Sequence, residues 1–581
     1  MTSEIYRKTD YVIGGFDPHI VVENSTMLFV GDSPTKYDMQ QGHPFQSDGA
    51  RMLESACFQH GIDYSSASKA VALDYYPTGG DASSCIITSK ELAASMGAPL
   101  WGKVNVEPKA VRSFKRLHAF IEEQQPDMIV LFGGVSLLAV LGEESITAWR
   151  GSICEMVLAS GKTCIVVPTF NPAALARKRS WTIPFYRDLK RIKDAVFETP
   201  VFNFMMEAKA ADYIKKLNEL YEQAEQQFTS TGKRLPLAID VETRAGYCTV
   251  IGVAWSRRDA LVIPLVCVET INYFTIDEEF EVVKALRRLL MSPYVERRGQ
   301  NFQYDVQYFA SNYGFFPPID FDTMIDAHAQ WTKSMPLGLG FLASMYCEWY
   351  RAWKSDGKEF HQSFKTREDQ LIYWRYNAYD LCYTFEISDE LQYHWNHNEP
   401  KERQELIAFQ RRMQNIILKP VLKGIRFNKE LQARMLVEAQ TLEARYEAWF
   451  QYMIPDEMIG LRSSTGKPLA PWWKYSRKLS HFLYKEMQIP PIVDRKTKRF
   501  TTGGDAPKQV GQLEPLLKLV MEKLDEYRSI EQFISLYLTA EVSADGRCRT
   551  QYGLAGTDTF RLNSKKDAFD KGMNLQNITK G

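Results

Sequence analysis

The amino-acid sequence predicts an α/β protein with two sheet-containing regions followed by a mainly helical one. Short continuous apolar strands alternate with helical stretches in the first part, and a strand–turn–strand pattern opens the second. After Arg403, apolar residues recur at helical spacing over long stretches, which indicates helices with one core-facing side. The predicted divisions are a doubly wound parallel sheet in 1–195, a linker in 196–232, a mixed sheet in 233–398 and a helical region in 399–581.

Composition narrows the class of protein further. A chain of 581 residues should hold roughly three to four domains, and 45% hydrophobic residues are ample for packed cores. Lys+Arg and Asp+Glu balance at 71 each, so a nucleic-acid surface would be a local patch. The nine cysteines are scattered without a Cys-x-x-Cys pair, which favours reduced thiols. With no apolar signal core and no run near 18 apolar residues, we expect a cytoplasmic protein without a membrane partner.

The sequence pattern of the first region predicts a ligand site at one edge of its sheet. Its strands fall within 26–34, 126–134 and 163–170, and each ends in a loop. In doubly wound sheets, ligands bind at the carboxyl ends of the strands. The segments that lie there are Gly31–Pro34, Gly133–Gly134 and Asn171–Pro172.

Three motifs in this region resemble the uracil-DNA glycosylase superfamily. They are Gly-Asp-Ser-Pro at 31–34, Gly-His-Pro-Phe-Gln-Ser-Asp-Gly-Ala at 42–50 and Asn-Pro-Ala-Ala-Leu at 171–175. The resemblance implies a pocket formed by Asp32, Phe45 and Asn171, with Phe45 stacking on a flipped base. Asn171 stands where the family has a catalytic His, and spaced cysteines for the family's iron–sulfur cluster are missing. We therefore expect no such cluster, and a DNA-contacting or structural module rather than a base-excising enzyme.

A basic cluster follows the third of these motifs. Arg177, Lys178 and Arg179 are consecutive and would suit contacts with DNA phosphates. A solvated loop explains the same cluster equally well, so the sequence leaves these two interpretations open.

The strand that opens the second region carries two acidic residues on one face. Because strand side chains alternate, Leu237, Ile239 and Val241 point one way, and Asp240 and Glu242 point the other. Adjacent carboxylates repel each other unless a cation lies between them, and hard divalent ions prefer oxygen ligands. The pair is thus half of a metal site, or alternatively a solvated strand face.

Two downstream segments supply further polar pairs at helical spacing. Asn301 and Asp305 are four residues apart, as are Tyr376 and Asp380, so each pair is predicted to share one helix face. Between them lies the segment Phe321-Asp322-Thr323-Met324-Ile325-Asp326.

In this order the elements resemble the three motifs of the DEDD 3′-5′ exonucleases with a Tyr in the third motif. The resemblance implies an RNase H-like fold in which Asp240, Glu242, Asp305 and Asp380 bind two divalent ions, Mg²⁺ or Mn²⁺. It also implies that Tyr376 orients the attacking water and that Asp322 is not a ligand. Asn301 would contact DNA, and single-stranded 3′ ends of a primer-template would be the substrate.

The last region resembles the thumb and palm entrance of family-A DNA polymerases. The basic run 495–499 would contact duplex backbone through Arg495, Lys496, Lys498 and Arg499. A second segment, Gly-Thr-Asp-Thr-Phe-Arg-Leu-Asn-Ser at 556–564, would place Arg561 in the minor groove near the primer end. The following Asn-Leu-Gln-Asn-Ile would contribute Asn574, Gln576 and Asn577 to DNA binding. Phe560, Asn563 and Met573 depart from the family pattern.

The family's fingers and palm motifs do not follow before Gly581. We therefore expect either the N-terminal half of a split polymerase, whose partner is a complementary fragment that carries fingers and palm, or a truncated product. A phage setting in the host cytoplasm is expected. Two alternatives stay open: a stand-alone exonuclease acting on RNA, and a non-catalytic DNA-binding or assembly subunit.

Overall fold

The computed structural model describes residues 15–194, 198–354, 364–463, 468–495 and 497–576. The chain forms two compact units, one extending to Asn415 and including Thr557–Phe560, the other containing the remaining C-terminal residues. The first unit contains two sheet-based regions, which we call the N-terminal region (15–194) and the middle region (198–398).

The N-terminal region is built on a six-stranded sheet with the order β1-β3-β2-β7-β9-β8. The four inner strands are parallel, and β1 and β8 are antiparallel edge strands. The predicted parallel α/β arrangement is therefore confirmed. Strands β4, β6 and β5 form a separate small antiparallel sheet. The strands are β1 His19–Ile20, β2 Met27–Gly31, β3 Ser68–Val71, β4 Ile86–Ile87, β5 Leu100–Trp101, β6 Val104–Val106, β7 Met128–Phe132, β8 Cys154–Val157 and β9 Thr163–Thr169.

Helices cover this sheet because its central strands are apolar on both faces. Every residue of β7 is buried, as expected for a parallel strand packed between helical layers. The α-helices are Lys36–Gln41, Asp48–Gln59, Lys90–Ser95, Pro108–Gln124, Gly134–Leu141, Ile146–Trp149, Pro172–Leu175 and Thr182–Asp194.

The middle region has a mixed sheet with the order β10-β13-β12-β11-β16-β17. Strands β13, β12 and β11 form an antiparallel meander, while β11, β16 and β17 run parallel, which gives the predicted mixed sheet. The strands are β10 Asn203–Met205, β11 Leu235–Arg244, β12 Tyr247–Ala254, β13 Asp259–Pro264, β14 Val266–Cys267, β15 Ile271–Asn272, β16 Val295–Gly299 and β17 Phe321–Asp322. The α-helices are Ala210–Thr231, Ile276–Leu290, Gln303–Tyr313, Thr323–Trp331, Leu339–Tyr346 and Arg367–His397.

Most of the predicted linker 196–232 is folded in the structure. Strand β10 pairs with β13, and the helix Ala210–Thr231 buries Tyr213, Leu217 and Leu220. The segment is polar in composition because most of this long helix faces solvent, yet residues from 203 onward belong to the folded middle region.

The second unit is mainly helical, as predicted. Its core contains Phe450, Trp472, Leu524 and Tyr527, which pack on one another across several helices. The helices and short strands from residue 401 onward are Lys401–Lys423, β18 Ile425–Arg426, Lys429–Met453, Ser476–His481, Ala506–Leu513, Lys518–Phe533, β19 Arg547–Cys548, β20 Gln551–Gly553 and β21 Asn563–Lys565.

Two chemical features of the sequence can be checked on the fold. All nine cysteines are buried and carry free thiols. Among the described residues, no helix combines the length and apolar character that crossing a membrane would require.

A buried ion pair stabilises the N-terminal region. Arg150 and Asp188 are both inaccessible to solvent, and Arg150 Nε donates to Asp188 Oδ2 at 2.9 Å. Asp188→Ala leaves a buried guanidinium without its counter-charge, so we expect a loss of about 3–5 kcal/mol in the free energy of unfolding. Chemical denaturation followed by tryptophan fluorescence measures this loss.

The matched control breaks an exposed pair in the same region. Arg51 and Asp48 are paired at 2.9 Å with both side chains largely in solvent. Arg51→Ala should change the stability by less than about 1 kcal/mol. Equal effects of the two substitutions would contradict a special role for the buried pair.

Candidate active site

The site begins on β11, near the middle of the mixed sheet. This strand lies between β12 and β16, and its residues Leu237, Ile239 and Val241 are buried in the core. Asp240 and Glu242 therefore extend from the opposite face, as the alternation predicts.

The helix Arg367–His397 brings a third carboxylate to this face. Asp380 lies on it, and carboxylate oxygens of Asp240, Glu242 and Asp380 all lie within 4.8 Å of one another. The helix packs against β11 and β12 because its inner side is strongly apolar and aromatic. The sequence-predicted residues from the first and third motifs thus come together in one cluster.

Asp305 lies beside this cluster. It sits in the first turn of the helix Gln303–Tyr313, and its Oδ1 accepts a hydrogen bond of 2.9 Å from the backbone N–H of Val241. Val241 separates Asp240 from Glu242 in the strand, so the fourth predicted carboxylate is bound directly to the backbone between the first two.

The prediction that Asn301 shares a helix face with Asp305 is wrong. Asn301 precedes the helix and has a φ of 54°, in the left-handed region that Asn tolerates better than most residues. Its backbone N–H donates to Asp322 Oδ1 at 3.0 Å. The four-residue spacing was misleading because the helix begins only at Gln303.

Asp322 uses its carboxylate for structure. It accepts backbone N–H groups from Asn301, Phe302 and Met324 and the side-chain amide of Gln414. Burial raises its pKa to about 6, and these hydrogen bonds oppose that rise. Its oxygens are thus committed to the turn before the helix, in keeping with the prediction that it is not a metal ligand.

Tyr376 and Asp380 share a face of the long helix and a common partner. Lys354 Nζ donates to Tyr376 Oη at 2.8 Å and also contacts Asp380 Oδ2. Trp353 Nε1 donates to Asp380 Oδ1 at 2.5 Å. Sequence reasoning missed Trp353 and Lys354 because nothing in their local pattern marks them.

Asn377 is a third residue that sequence reasoning did not assign. Its Nδ2 donates to Asp240 Oδ2 at 2.7 Å, which ties the long helix to β11. Its position inside the Tyr-Asn-Ala-Tyr-Asp motif was the available signal.

Burial and mutual repulsion dominate the electrostatics of the cluster. Desolvation, followed by the charge of Asp380, raises the pKa of Asp240, while Lys354 and Asn377 oppose this. Desolvation and the Asp240 charge likewise raise the pKa of Glu242 and of Asp305. Such a group of hard oxygen donors fits a divalent cation, which would remove the repulsion.

The phenol of Tyr376 is kept neutral by the same environment. Burial and the neighbouring carboxylates raise its pKa above the ordinary value. It therefore acts as a hydrogen-bonding hydroxyl at physiological pH.

The three pocket residues predicted in the N-terminal region also come together. Asp32 accepts backbone N–H groups of Val135 and Ser136 at 2.8 and 2.9 Å, and Asn171 Nδ2 donates to it at 3.3 Å. Phe45 has a φ of 59° and packs near Gly31. Burial raises the pKa of Asp32, and the hydrogen bonds oppose this rise.

The predicted DNA contacts of the C-terminal region differ in their surroundings. Arg495, Lys498, Arg499 and Arg561 are exposed, whereas Gln576 Nε2 donates to the Leu562 carbonyl at 2.8 Å. Asn574 Oδ1 accepts the backbone N–H of Gln576. Lys496 and Asn577 lie outside the described residues.

Comparison with protein families identifies both sheet regions. Residues 203–395 match the family described as 3′-5′ exonuclease (DNA_pol_A_exo1). The middle region is a 3′-5′ exonuclease domain. Residues 18–192 match the uracil DNA glycosylase superfamily, so a glycosylase-like domain precedes the exonuclease domain. The start of the exonuclease match at residue 203 agrees with the position of β10.

Among solved structures, one similar chain is described as the POL domain of Pol1 from M. smegmatis in complex with DNA primer-template and dNTP. The similarity covers 65% of this chain and 56% of that chain, with 17% sequence identity and a TM-score of 0.44. The present chain thus spans little more than half of that one. A comparison with curated proteins found no match.

Gly252 provides the space in which Asn377 reaches Asp240. It lies opposite Asp240 in the β11–β12 register, and a β-carbon there would collide with Asn377 Oδ1 and Leu381 Cδ1. We expect Gly252→Ala to destabilise the exonuclease domain by about 1–3 kcal/mol through overpacking. Thermal unfolding measures the change. Gly338→Ala is the control, because its β-carbon would meet nothing within 4 Å; equal melting temperatures for both variants would contradict the expectation.

Repulsion within the cluster also predicts a pH-dependent stability. Because the folded-state pKa of Asp240 is raised to about 8, its burial costs little at acidic pH and progressively more as the pH rises from about 4 towards 8. Asp240→Asn should therefore raise the free energy of unfolding of the metal-free protein by about 1–3 kcal/mol at pH 8, with a higher melting temperature, and have a smaller effect at pH 5.

Calorimetry in the presence of a chelator measures this difference. The control is Asp48→Asn, whose carboxylate is 95% exposed and should give no gain at either pH. An Asp240→Asn protein that is no more stable than the wild type at pH 8 would contradict the dominance of repulsion.

Proposed function

We propose that the chain is the exonuclease-bearing part of a family-A DNA polymerase that hydrolyses 3′-terminal phosphodiesters of DNA. The observation that carries the proposal is the cluster of Asp240, Glu242 and Asp380 inside a domain that matches a 3′-5′ exonuclease family. Frayed single-stranded 3′ ends of a primer-template are the proposed substrate.

The four carboxylates of Asp240, Glu242, Asp305 and Asp380 would hold two divalent ions, Mg²⁺ or Mn²⁺. When bound, such ions lower the pKa of the attacking water and stabilise the leaving 3′-oxygen. The residues of the chain fix the ligands: Asn377 positions Asp240, the Val241 N–H positions Asp305, and Trp353 positions Asp380.

Tyr376 supplies a neutral hydroxyl at the edge of the cluster. Lys354 donates to its oxygen and so fixes the position of the phenol relative to Asp380. From there, the hydroxyl would orient a water molecule for attack on the terminal phosphate.

The polymerase assignment rests on the motif resemblance around Arg561 and Asn574. We further propose that DNA synthesis requires a complementary polypeptide with fingers and palm. The setting of this synthesis would be phage replication within the host cytoplasm. Mixing the chain with such a polypeptide on a primed template tests this part. The absence of binding and of synthesis between two folded polypeptides would refute it.

Digestion of a 3′-labelled single-stranded DNA in Mg²⁺ or Mn²⁺ tests the nuclease function. The wild-type chain should release nucleoside 5′-monophosphates, and Asp240→Ala should be slower by about 10²–10³-fold because a ligand of the ions that would stabilise the leaving oxygen is lost. Glu281→Ala, on the exposed surface of the same domain, should match the wild type.

The same assay separates the alternatives. Faster digestion of an RNA of the same sequence would favour an RNA-trimming exonuclease. A folded wild-type chain that releases nothing with either ion would contradict the nuclease function and favour a binding subunit.

A further inference from the structure

A segment of the exonuclease domain crosses from the glycosylase-like domain to the carboxylate cluster. We call this segment, Ser344–Lys354, the strap. It begins near the end of the helix Leu339–Tyr346 and ends at the residue whose ammonium contacts Tyr376 and Asp380.

Arginines of the glycosylase-like domain bind the first half of the strap through its backbone carbonyls. Arg187 Nε donates to the Met345 carbonyl at 2.9 Å, and Arg191 donates to the carbonyls of Ser344 and Cys347 at 3.1 and 2.6 Å. Arg191 is nearly inaccessible, so these bonds form in a dry interface where each is electrostatically strong.

The second half of the strap is bound to a loop of the same domain. The Ile153 N–H donates to the Tyr350 carbonyl at 2.8 Å, and the Tyr350 hydroxyl donates to the Ala148 carbonyl at 2.8 Å. The Ala352 N–H donates to Ser152 Oγ at 3.0 Å. Two residues later the chain reaches Lys354, so the glycosylase-like domain holds the backbone that leads to this lysine.

Lys354 delivers a positive charge to the carboxylates that would bind a divalent ion. Its ammonium contacts Asp380 Oδ2, one oxygen of the clustered triad, and the Tyr376 hydroxyl. A cation fixed there offsets repulsion among the carboxylates, but it also repels a second cation and competes for the same oxygen.

We propose that Lys354 is a fixed positive charge in the exonuclease site, which competes with divalent ions for Asp380 and positions Tyr376. The glycosylase-like domain holds Lys354 in place through its hydrogen bonds to the strap. The inference rests on the proposed function in that it takes the cluster to be the metal site. It gives the glycosylase-like domain a role within the chain that requires no base excision.

Mn²⁺ binding to the full chain in the absence of DNA, followed by electron paramagnetic resonance of the unbound ion, tests the competition. Lys354→Met should bind Mn²⁺ more tightly, on the order of five- to tenfold, because the competing charge is gone. Lys354→Arg keeps the charge and should stay near the wild type. Lys284→Met, which removes an exposed lysine of the same domain, is the neutral control.

Arg187→Met tests whether the glycosylase-like domain holds Lys354 in place, because it changes no residue of the carboxylate cluster. It removes two hydrogen bonds to the strap and should tighten Mn²⁺ binding in the same direction as Lys354→Met, by a smaller factor. Lys354→Met should also lower kcat on single-stranded DNA with little change in KM, because Tyr376 loses its donor.

The outcomes distinguish the inference from the proposed function. Unchanged or weaker Mn²⁺ binding by Lys354→Met, in a chain that digests DNA, would overturn the competing-cation role alone. If Arg187→Met bound Mn²⁺ with the same affinity as the Lys284→Met control, the role of the glycosylase-like domain in holding Lys354 would be overturned. A wild-type chain that neither binds Mn²⁺ nor digests DNA would overturn the proposed function itself.

Discussion

Repulsion among buried carboxylates is the constraint on which the rest of the exonuclease domain depends. Asp240, Glu242 and Asp380 place their oxygens close together on a sheet face that water reaches poorly. Isolated charges in such a place are costly unless donors and counter-charges surround them. The surrounding structure supplies these from several directions: Asn377 on the long helix donates to Asp240, and Lys354 of the strap contacts Asp380. The backbone N–H of Val241 in β11 binds the neighbouring Asp305.

The glycosylase-like domain meets a smaller version of the same problem in a different way. Asp32 is buried at the carboxyl end of β2, and two backbone N–H groups at the start of the helix Gly134–Leu141 bind its carboxylate. The partial positive charge of a helix N-terminus suits an anion. Here the chain's own carboxylate takes that position, so the pocket is organised around one carboxylate bound by backbone donors, whereas the exonuclease site groups three carboxylates together.

The sequence predicted those parts of the structure that depend on local pattern. Continuous apolar runs marked β2, β7 and β9, and strict alternation in β11 placed Asp240 and Glu242 on one face. Strand β10 was not predicted because it has only three residues and is defined by pairing with β13, more than fifty residues away. Lys354 was not predicted for a related reason: the strap that brings it to the cluster is held by residues distant in sequence, such as Arg191 and Ser152. Asn301 shows the opposite error, since a helical spacing was read across a turn that precedes the helix.

The hydrogen bonds from Arg187 and Arg191 to the strap end on its backbone, and this affects which residues of the protein can change during evolution. Arg187 and Arg191 bind carbonyl oxygens that every amino acid possesses, so recognition of the strap is largely blind to the identity of the residues that supply those oxygens. A change of half-buried Met345 would remove the contact of its Sδ with Arg150 Nη1 at 3.7 Å, but it would keep the hydrogen bond that Arg187 donates to its carbonyl. With Lys354 acting as proposed, substitutions in the glycosylase-like domain would alter ion binding at the exonuclease site without changing any of its carboxylates.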